Sequence, residues 1–305
     1  MEGSDTYMNE TGFNSRVTAL APLAHTLFTA SPKLEQLAEG FSFSEGPVWD
    51  AAAECLYFTD FREDKIYRWV EGEEAKLYTA QSNRAIGLSM DAQGRIVSTE
   101  SGLHRIAYVD DVGSTGIVDA YEGKRLNSPN DVVVARDGGI WFTDPCSAIM
   151  QDVRELSING VYRATPQGDV TLICDTFGRP NGIALSPDEK TLYVNDTDLQ
   201  QVFSLKLNED NTAEPPVLLG TMDIAYGRGA ADGMKVDTLG NIWLTGPGGI
   251  WVFTPEGEAV AILHCPASVG NFCFGGKEGR TLFICASSAV YKTDIGVEGI
   301  RPHRA

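Results

Sequence analysis

Positive charge is scarce in this chain. Its 305 residues include 24 Lys and Arg against 42 Asp and Glu, which gives a formal net charge of -18. A field of that sign repels phosphate backbones and anionic lipid surfaces, so we expect no nucleic-acid partner and no membrane binding. Apolar runs are also short, and none approaches the ~20 residues that a membrane-spanning helix needs. The oligomeric state is left open.

Sequence motifs that pair cysteines or histidines are missing as well. The cysteines show no CxxC or Cys/His spacing, which argues against a zinc site and a disulfide framework. The four histidines share no motif, and no Gly-x-Ser-x-Gly sequence occurs, so serine-hydrolase chemistry is not indicated. Glu2 and Asp5 stand where a secretory signal would carry positive charge. A reducing cytoplasm is the expected location.

Long helical patterns are also absent, and one β-hairpin pattern recurs six times instead. Each copy has an apolar strand, a turn rich in Gly or Asp, and a second apolar strand. The copies begin at Glu45, Ile86, Asn130, Asn181, Asp232 and Gly270. Their starts lie 41, 44, 51, 51 and 38 residues apart, which fits propeller blades of roughly 40 to 50 residues. A further β-rich stretch after most copies indicates four strands in each blade.

We therefore predict an all-β fold: a six-bladed β-propeller with four-stranded antiparallel blades, forming one domain over residues 31–305. A β-sandwich is the alternative, but it gives no reason for the same turn at the same offset six times. Ring closure requires a strand from the other end of the chain, because an open edge invites aggregation. Residues 34–38 are the predicted closing strand. Residues 1–30 show no repeat and are predicted to be a flexible or loosely packed extension.

One column of the aligned copies carries oxygen donors. At the start of the innermost strand, four of the six copies have Glu45, Asn130, Asn181 and Asp232. Innermost strands line the central channel, so these side chains are expected to converge at one end of it. Each Asn-Gly or Asp-Gly pair alone would more often be a turn, and the shared column is what favours a metal site. Carboxylate and amide oxygens suit Ca²⁺ best, with Mg²⁺, Mn²⁺ or Zn²⁺ as alternatives.

A second column lies at the end of the second strand, on the same face as the first. Its acidic members are Asp60, Glu100, Asp144 and Asp196. For Asp60 and Glu100 we favour loop capping through backbone N–H groups. Asp144 and Asp196 are kept as substrate-binding candidates, together with Asn130 and with Arg125, which could reach a substrate oxygen.

The chain resembles the SMP-30/gluconolactonase/luciferin-regenerating enzyme family over most of its length. The resemblance rests on Ser44-Glu45-Gly46-Pro47-Val48-Trp49, Ser128-Pro129-Asn130-Asp131, Arg179-Pro180-Asn181-Gly182-Ile183-Ala184 and Ala231-Asp232-Gly233-Met234. It implies that Glu45, Asn130, Asn181 and Asp232 bind a divalent metal and that Asp232 is the general base. The implied partner is a small-molecule substrate, a lactone. The implied reaction is its hydrolysis, in which the metal polarises the carbonyl and Asp232 or a metal-held water activates the nucleophile. A phosphotriester hydrolase and a non-catalytic metal-binding propeller are the alternatives.

Two departures from the family pattern concern the substrate. The chain has Thr99-Glu100-Ser101 where sugar lactonases of this type tend to have Cys-Glu-His. It also has the less polar Cys146, Ala148 and Ile149 where they tend to have a Pro-rich, Tyr-Gly segment. These residues suggest a substrate with an apolar portion.

Overall fold

The structure, a computed structural model, describes residues 8–9, 12–14, 16–28, 32–146 and 154–302. These residues form an almost entirely β fold in which six antiparallel sheets of at least four strands are arranged as propeller blades. The predictions of an all-β six-bladed propeller and of four-stranded blades are both confirmed. No helix among these residues is long and apolar enough to cross a membrane.

The N-terminal part of the chain precedes the first complete blade. It contains β1 (Met8–Asn9), β2 (Gly12–Asn14), β3 (Val17–Ala19), α1 (Ala24–Leu27) and β4 (Lys33–Glu39). Blade 1 follows, with β5 (Ser44–Asp50), β6 (Cys55–Asp60), β7 (Lys65–Val70) and β8 (Lys76–Thr79). Blade 2 comprises β9 (Ala85–Met90), β10 (Ile96–Glu100), β11 (Arg105–Val109) and β12 (Ser114–Val118). A small hairpin, β13 (Ala120–Tyr121) and β14 (Lys124–Arg125), leads on to blade 3.

The remaining four blades follow the same order from the channel outwards. Blade 3 comprises β15 (Val132–Val134), β16 (Ile140–Asp144), β17 (Gly160–Ala164) and β18 (Val170–Cys174). Blade 4 comprises β19 (Pro180–Leu185), β20 (Thr191–Asp196), β21 (Gln201–Lys206) and β22 (Val217–Thr221), after which comes a 3-10 turn, Ile224–Tyr226. Blade 5 comprises β23 (Met234–Val236), β24 (Ile242–Gly246), β25 (Gly249–Phe253) and β26 (Ala259–His264). Blade 6 begins with β27 (Val269–Gly275), β28 (Thr281–Ala286) and β29 (Ala289–Asp294).

The ring is closed by the N-terminal strand β4. It pairs antiparallel with β29, with Val290 opposite Ala38, and so supplies the fourth strand of blade 6. The predicted closing strand over residues 34–38 is therefore confirmed. Neighbouring blades are held by packed aromatic rings, such as Trp49 of blade 1 stacked on Phe283 of blade 6 at 4.9 Å between ring centroids. Rings of this size bury large apolar areas and favour offset or edge contacts, which makes the blade interfaces well packed.

The predicted loose packing of the N-terminal extension is wrong for residues 17–28. Strand β3 pairs with β26 and becomes a fifth strand of blade 5, with Thr18 opposite Ile262. The helix α1 inserts Leu27 into a core formed by blades 5 and 6, where this side chain is 0% exposed. The Phe28 ring lies 5.5 Å from the Trp243 ring. Apolar burial therefore anchors this segment, although it repeats no blade pattern.

We predict that Leu27→Ala destabilises the propeller by about 3 kcal/mol, because it removes a fully buried side chain and leaves a cavity. The unfolding free energy from urea denaturation is the measurement. Thr26→Ala, at the adjacent exposed position, is the control and should change stability by less than about 0.5 kcal/mol. Equal effects of the two substitutions would contradict the view that α1 is docked in the core.

Candidate active site

The innermost strands place the first column at one end of the channel. Glu45 and Asn181 lie at the starts of β5 and β19, and Asn130 and Asp232 lie two residues before β15 and β23. The pairing register of β5 and β19 shifts at these positions, as it does in β-bulges. Bulges turn a side chain away from the regular alternation of a strand and are frequent beside active sites. The four predicted residues thus occupy equivalent positions around the channel mouth.

A ring of hydrogen bonds between blades fixes the backbone of this column. In most blades, the residue before the second-column position donates to the main-chain oxygen of a first-column residue in the next blade. The bonds run from Thr59 to Ile86 (3.2 Å), from Thr99 to Asn130 (2.8 Å), from Thr143 to Asn181 (2.6 Å), from Asn195 to Asp232 (2.6 Å) and from Cys285 to Glu45 (3.6 Å). Because each bond joins two blades, the channel mouth is rigid where the column lies.

In several blades, a glycine comes directly after the first-column residue. The close approach of the inner strands explains why. A Cβ at Gly182 would lie 2.2 Å from the main-chain oxygen of Asp232, and a Cβ at Gly46 would lie 1.9 Å from that of Ile86. Such distances are far below van der Waals contact, so only glycine fits. The Gly residues of the Asn-Gly and Glu-Gly pairs therefore allow the blades to meet.

Glu45 and Asp232 interact across the channel mouth. Glu45 is 2% exposed and accepts a 2.7 Å hydrogen bond from the Gly46 N–H. Burial, and then the negative charge of Asp232, hold the pKa of Glu45 well above its usual value. Asp232 keeps part of its surface exposed, yet exclusion of water by the surrounding protein, and then the charge of Asp131, raise its pKa to about 7. Buried like charges without a cation are unfavourable, and a bound cation would relieve that repulsion.

Asn181 has the orphaned oxygen that a cation ligand would have. Its Nδ2 donates to Thr197 Oγ1 at 3.1 Å, and its side chain also hydrogen-bonds to Asp232. Its Oδ1 is buried and has no hydrogen-bond partner within the described structure. A buried acceptor without a partner costs free energy unless a ligand satisfies it. The donor set of Glu45, Asn181 and Asp232 therefore fits a hard divalent cation.

Asn130 is held by its main chain. Its N–H donates to the Thr143 oxygen at 2.9 Å, and its own oxygen accepts from the Gly87 N–H at 2.9 Å. Its half-buried side chain lies at the column position, and its role as a metal or substrate ligand stays a prediction. Within the described ranges, no group of three or more His, Cys, Asp and Glu side chains forms a metal-binding cluster. Binding of a cation would thus depend on the side-chain amides of Asn130 and Asn181 as well as on the carboxylates of Glu45 and Asp232.

Three further residues at this site were missed by the sequence reasoning. Asp131 and Asn271 are buried, and the Lys235 ammonium lies 3.2 Å from Asn271 Oδ1 and 3.9 Å from Asp131 Oδ2. Burial raises the pKa of Asp131, and the positive charge of Lys235 opposes that rise. Asp131 and Asn271 occupy the column one residue beyond the first, where other blades have glycine. Aligning that second position would have found them.

The second-column acids cap loops. Asp144 accepts hydrogen bonds from the Asn127 and Ser128 N–H groups, both at 2.7 Å, and burial raises its pKa to about 7. Asp196 accepts from the Gly178 N–H at 2.8 Å, and Asp60 accepts from the Ser42 and Phe43 N–H groups. Glu100 differs from our expectation, because it binds side chains instead: Arg105 at 2.5 Å and Asn83 at 3.2 Å.

These contacts give Asp144 and Asp196 a structural role that the sequence reasoning did not assign to them. Both are 0% exposed, so they sit beneath the loops and not on the site surface. Their contact with substrate stays a prediction that their geometry does not favour. Arg125, on β14, is half-buried and lies beside Glu155, which accepts from the Arg125 N–H at 2.9 Å. Its contact with substrate also stays a prediction.

The rim around the mouth combines aromatic, cationic and apolar groups. The Phe43 ring borders Glu45, since a Cβ at Gly270 would meet both side chains. The Arg62 guanidinium lies 5.4 Å from the Phe43 ring centroid. Ile224, in the 3-10 turn that precedes β23, is 72% exposed. Cys146 is half-buried near this face, whereas Ala148 and Ile149 lie outside the described residues, so their predicted part in the pocket wall is not addressed.

A separate cavity of about 80 Å³ lies towards the other end of the channel. Val48, Val133, Ala184 and Cys273 contribute an apolar lining, and Ile300 lies over it near the C-terminus. Lys235 lines this cavity too, so it stands between the cavity and the carboxylates at the mouth. The first-column residues do not line the cavity, and we therefore treat it as distinct from the candidate active site.

Comparisons with known proteins agree with this architecture. Residues 43–288 match the model of the SMP-30/gluconolactonase/LRE-like region. A gluconolactonase from Zymomonas mobilis is 33% identical over 305 residues, covering 91% of this chain and 85% of that protein. A solved gluconolactonase from Xanthomonas campestris superimposes with a TM-score of 0.84 at 28% identity, covering 96% of this chain and 99% of the other.

A more distant structure shares the fold alone. A calcium-binding regucalcin from Agrobacterium tumefaciens superimposes with a TM-score of 0.75 at 17% identity, covering 88% of this chain and 96% of the other. The predicted resemblance is confirmed by the match over residues 43–288 together with the Zymomonas mobilis relative. The family model covers most of the chain and the Zymomonas mobilis relative covers nearly all of it, so this chain belongs to the SMP-30/gluconolactonase/LRE-like family.

Proposed function

We propose that this protein is a metal-dependent lactonase that opens the ester ring of a sugar lactone or a related small lactone. The observation that carries the proposal is the convergence of Glu45, Asp232 and the orphaned Asn181 Oδ1 at the channel mouth. A gluconolactonase that is 33% identical over most of both chains also supports the proposal. Fold alone would not identify an activity, so the site and the relative are needed together.

We propose that one divalent cation is held by Glu45, Asn130, Asn181 and Asp232. Ca²⁺ is the expected ion, with Mg²⁺, Mn²⁺ or Zn²⁺ as alternatives, because the ligands are hard oxygens and none is His or Cys. When bound, the cation polarises the lactone carbonyl and stabilises negative charge that develops on its oxygen. The rigid ring of hydrogen bonds between blades keeps the ligand backbones in place without such an ion.

Asp232 is the residue we propose as general base. One of its neighbours, Asn181, hydrogen-bonds to the carboxyl group, and the Asp232 N–H donates to Thr245 Oγ1 at 3.0 Å. Burial raises its pKa to about 7 in the metal-free protein, close to the pH at which a base is most useful. A cation ligated by Asp232 would make it a weaker base, so its contribution then comes from its position beside the attacking water.

The rim supports a substrate with an apolar portion. Leu199 and Ile224 are 55% and 72% exposed on adjacent loops of this face, which are joined by a hydrogen bond between the Met222 N–H and the Gln200 oxygen. Exposed apolar side chains beside a polar site are typical of ligand contacts. We therefore expect lactones with an aliphatic substituent to bind more tightly than unsubstituted sugar lactones.

A substrate panel tests the proposal. We expect gluconolactone and aliphatic lactones to be hydrolysed after addition of Ca²⁺, Mn²⁺, Zn²⁺ or Mg²⁺, with the KM lower for the aliphatic compounds. Rates would be followed by proton release and corrected for spontaneous ring opening. A phosphotriester is included as a competing substrate. Turnover of the phosphotriester without lactone hydrolysis would contradict the lactonase proposal. A strict preference for sugar lactones would contradict the expectation that the substrate has an apolar portion.

A further inference from the structure

Lys235 lies directly beneath the candidate metal site. Its side chain is 21% exposed, and its ammonium donates to the Met234 oxygen at 2.9 Å and to Asn271 Oδ1 at 3.2 Å. It also lies 3.9 Å from Asp131 Oδ2, which has no hydrogen-bond partner within the described structure. A largely buried ammonium is unfavourable unless nearby negative groups compensate it. Its carboxylate neighbours must therefore be considered together with it.

Asn271 connects Lys235 to the site. Its Oδ1 accepts from the Lys235 ammonium and from the Phe272 N–H at 2.9 Å. With its oxygen occupied by these two donors, the amide presents its NH₂ group to Glu45 and Asp131, and its side chain hydrogen-bonds to both carboxyl groups. Rotating this amide by 180° would place its NH₂ against both the ammonium and the Phe272 N–H, so Lys235 and the Phe272 N–H together determine its orientation.

With a cation bound, Glu45, Asp131 and Asp232 would be ionised and would place three negative charges near the channel mouth. A divalent cation balances two of them and leaves one negative charge. Arg179 acts on Asp232 as well, but it is paired with Asp198 at 3.5 Å and so adds no net charge. The Lys235 ammonium therefore supplies the positive charge that is still required.

We propose that Lys235 is a positioning residue that orients Asn271 towards Glu45 and matches the charge of the site to a divalent cation instead of a trivalent one. The proposal rests on the metal site proposed above. It extends that site to a residue beside the carboxylates that is not one of the proposed metal ligands. Repulsion from a fixed ammonium grows with the charge of the ion, so it discriminates against trivalent ions.

Metal affinities of neutral variants test this role. Lys235→Met and Lys235→Gln remove the charge, Lys235→Arg keeps it, and Lys206→Met is a matched control at an exposed lysine paired with Glu214. The affinities of the metal-stripped proteins for Ca²⁺ and Tb³⁺ would be measured by calorimetry. We expect the ratio of Tb³⁺ to Ca²⁺ affinity to rise about tenfold in Lys235→Met and Lys235→Gln. Lys235→Arg and Lys206→Met should keep the wild-type ratio.

The outcomes separate the two proposals. If the ratio of Tb³⁺ to Ca²⁺ affinity stays at the wild-type value in both neutral variants, the charge-matching proposal is wrong. An equal loss of affinity for both ions would then indicate a general structural role for Lys235. The charge-matching proposal is also wrong if Lys206→Met shifts the ratio as much. If the wild-type protein binds neither ion, the proposed metal site itself fails.

Discussion

Replacing Asp232 with Asn is expected to lower kcat for lactone hydrolysis by at least about 10³, because the amide cannot accept a proton from water and is a poorer cation ligand. The fold should persist, since the main-chain oxygen of residue 232, not its side chain, takes part in the hydrogen-bond ring. At pH 8, above the pKa of about 7, loss of the partly exposed negative charge near Glu45 should even raise the melting temperature of the metal-free protein.

The measurement combines initial rates with circular dichroism and thermal melting. Asp210→Asn is the control, because Asp210 is an exposed turn residue whose carboxylate binds Thr212. It should leave kcat unchanged. If Asp232→Asn retains kcat within about threefold of the wild-type value under metal-saturated conditions, Asp232 has no part in the chemical step.

Metal removal is expected to make stability depend strongly on pH. In the folded metal-free protein the pKa of Asp232 is about 7, against an ordinary value of 3.8, and the pKa values of Glu45 and Asp131 are also raised. At pH values between about 4 and about 7, these carboxyl groups are protonated in the folded state and deprotonated in the unfolded state. The unfolding free energy therefore falls as pH rises from about 4 through about 7. In EDTA we expect the melting temperature to fall by about 5 °C from pH 5.5 to pH 8.

Calcium should reverse the part of this loss that comes from the carboxyl groups at the proposed metal site, whereas Asp144, whose pKa burial also raises to about 7, keeps its own contribution. A cation binds the deprotonated carboxylates, so saturating Ca²⁺ should raise the melting temperature more at pH 8 than at pH 5.5. Asn181→Ala is a useful comparison, because it removes a neutral ligand and should reduce the effect of calcium while keeping the pH dependence in EDTA. A melting temperature that rises with pH in EDTA, or a calcium effect that is the same at both pH values, would contradict the proposed site.

All six cysteines are free thiols: Cys55, Cys146, Cys174, Cys265, Cys273 and Cys285. Burial raises the pKa of Cys265 and of Cys273 to about 12, which keeps both as unreactive thiols. The cytoplasmic location stays a prediction.

Much of this architecture is determined by local sequence. Alternating apolar residues and Gly or Asp turns define each hairpin through interactions between near neighbours, so the six copies could be read from the chain. The first column followed, because equivalent positions in a closed ring must face the same channel. The strand over residues 34–38 was predictable for a related reason, since a closed ring leaves no open edge at the last blade.

Only the tertiary structure decided what surrounds those positions. Lys235, Asp131 and Asn271 come from three different blades, and their contact depends on how closely the inner strands approach. Leu27 is buried because blades 5 and 6 offer an apolar surface, which no pattern within residues 17–28 reveals. Asp144 and Asp196 turned towards loop N–H groups, although their column is shared with the site face. Local periodicity specifies strands, whereas burial and charge balance arise only between segments that are far apart in the chain.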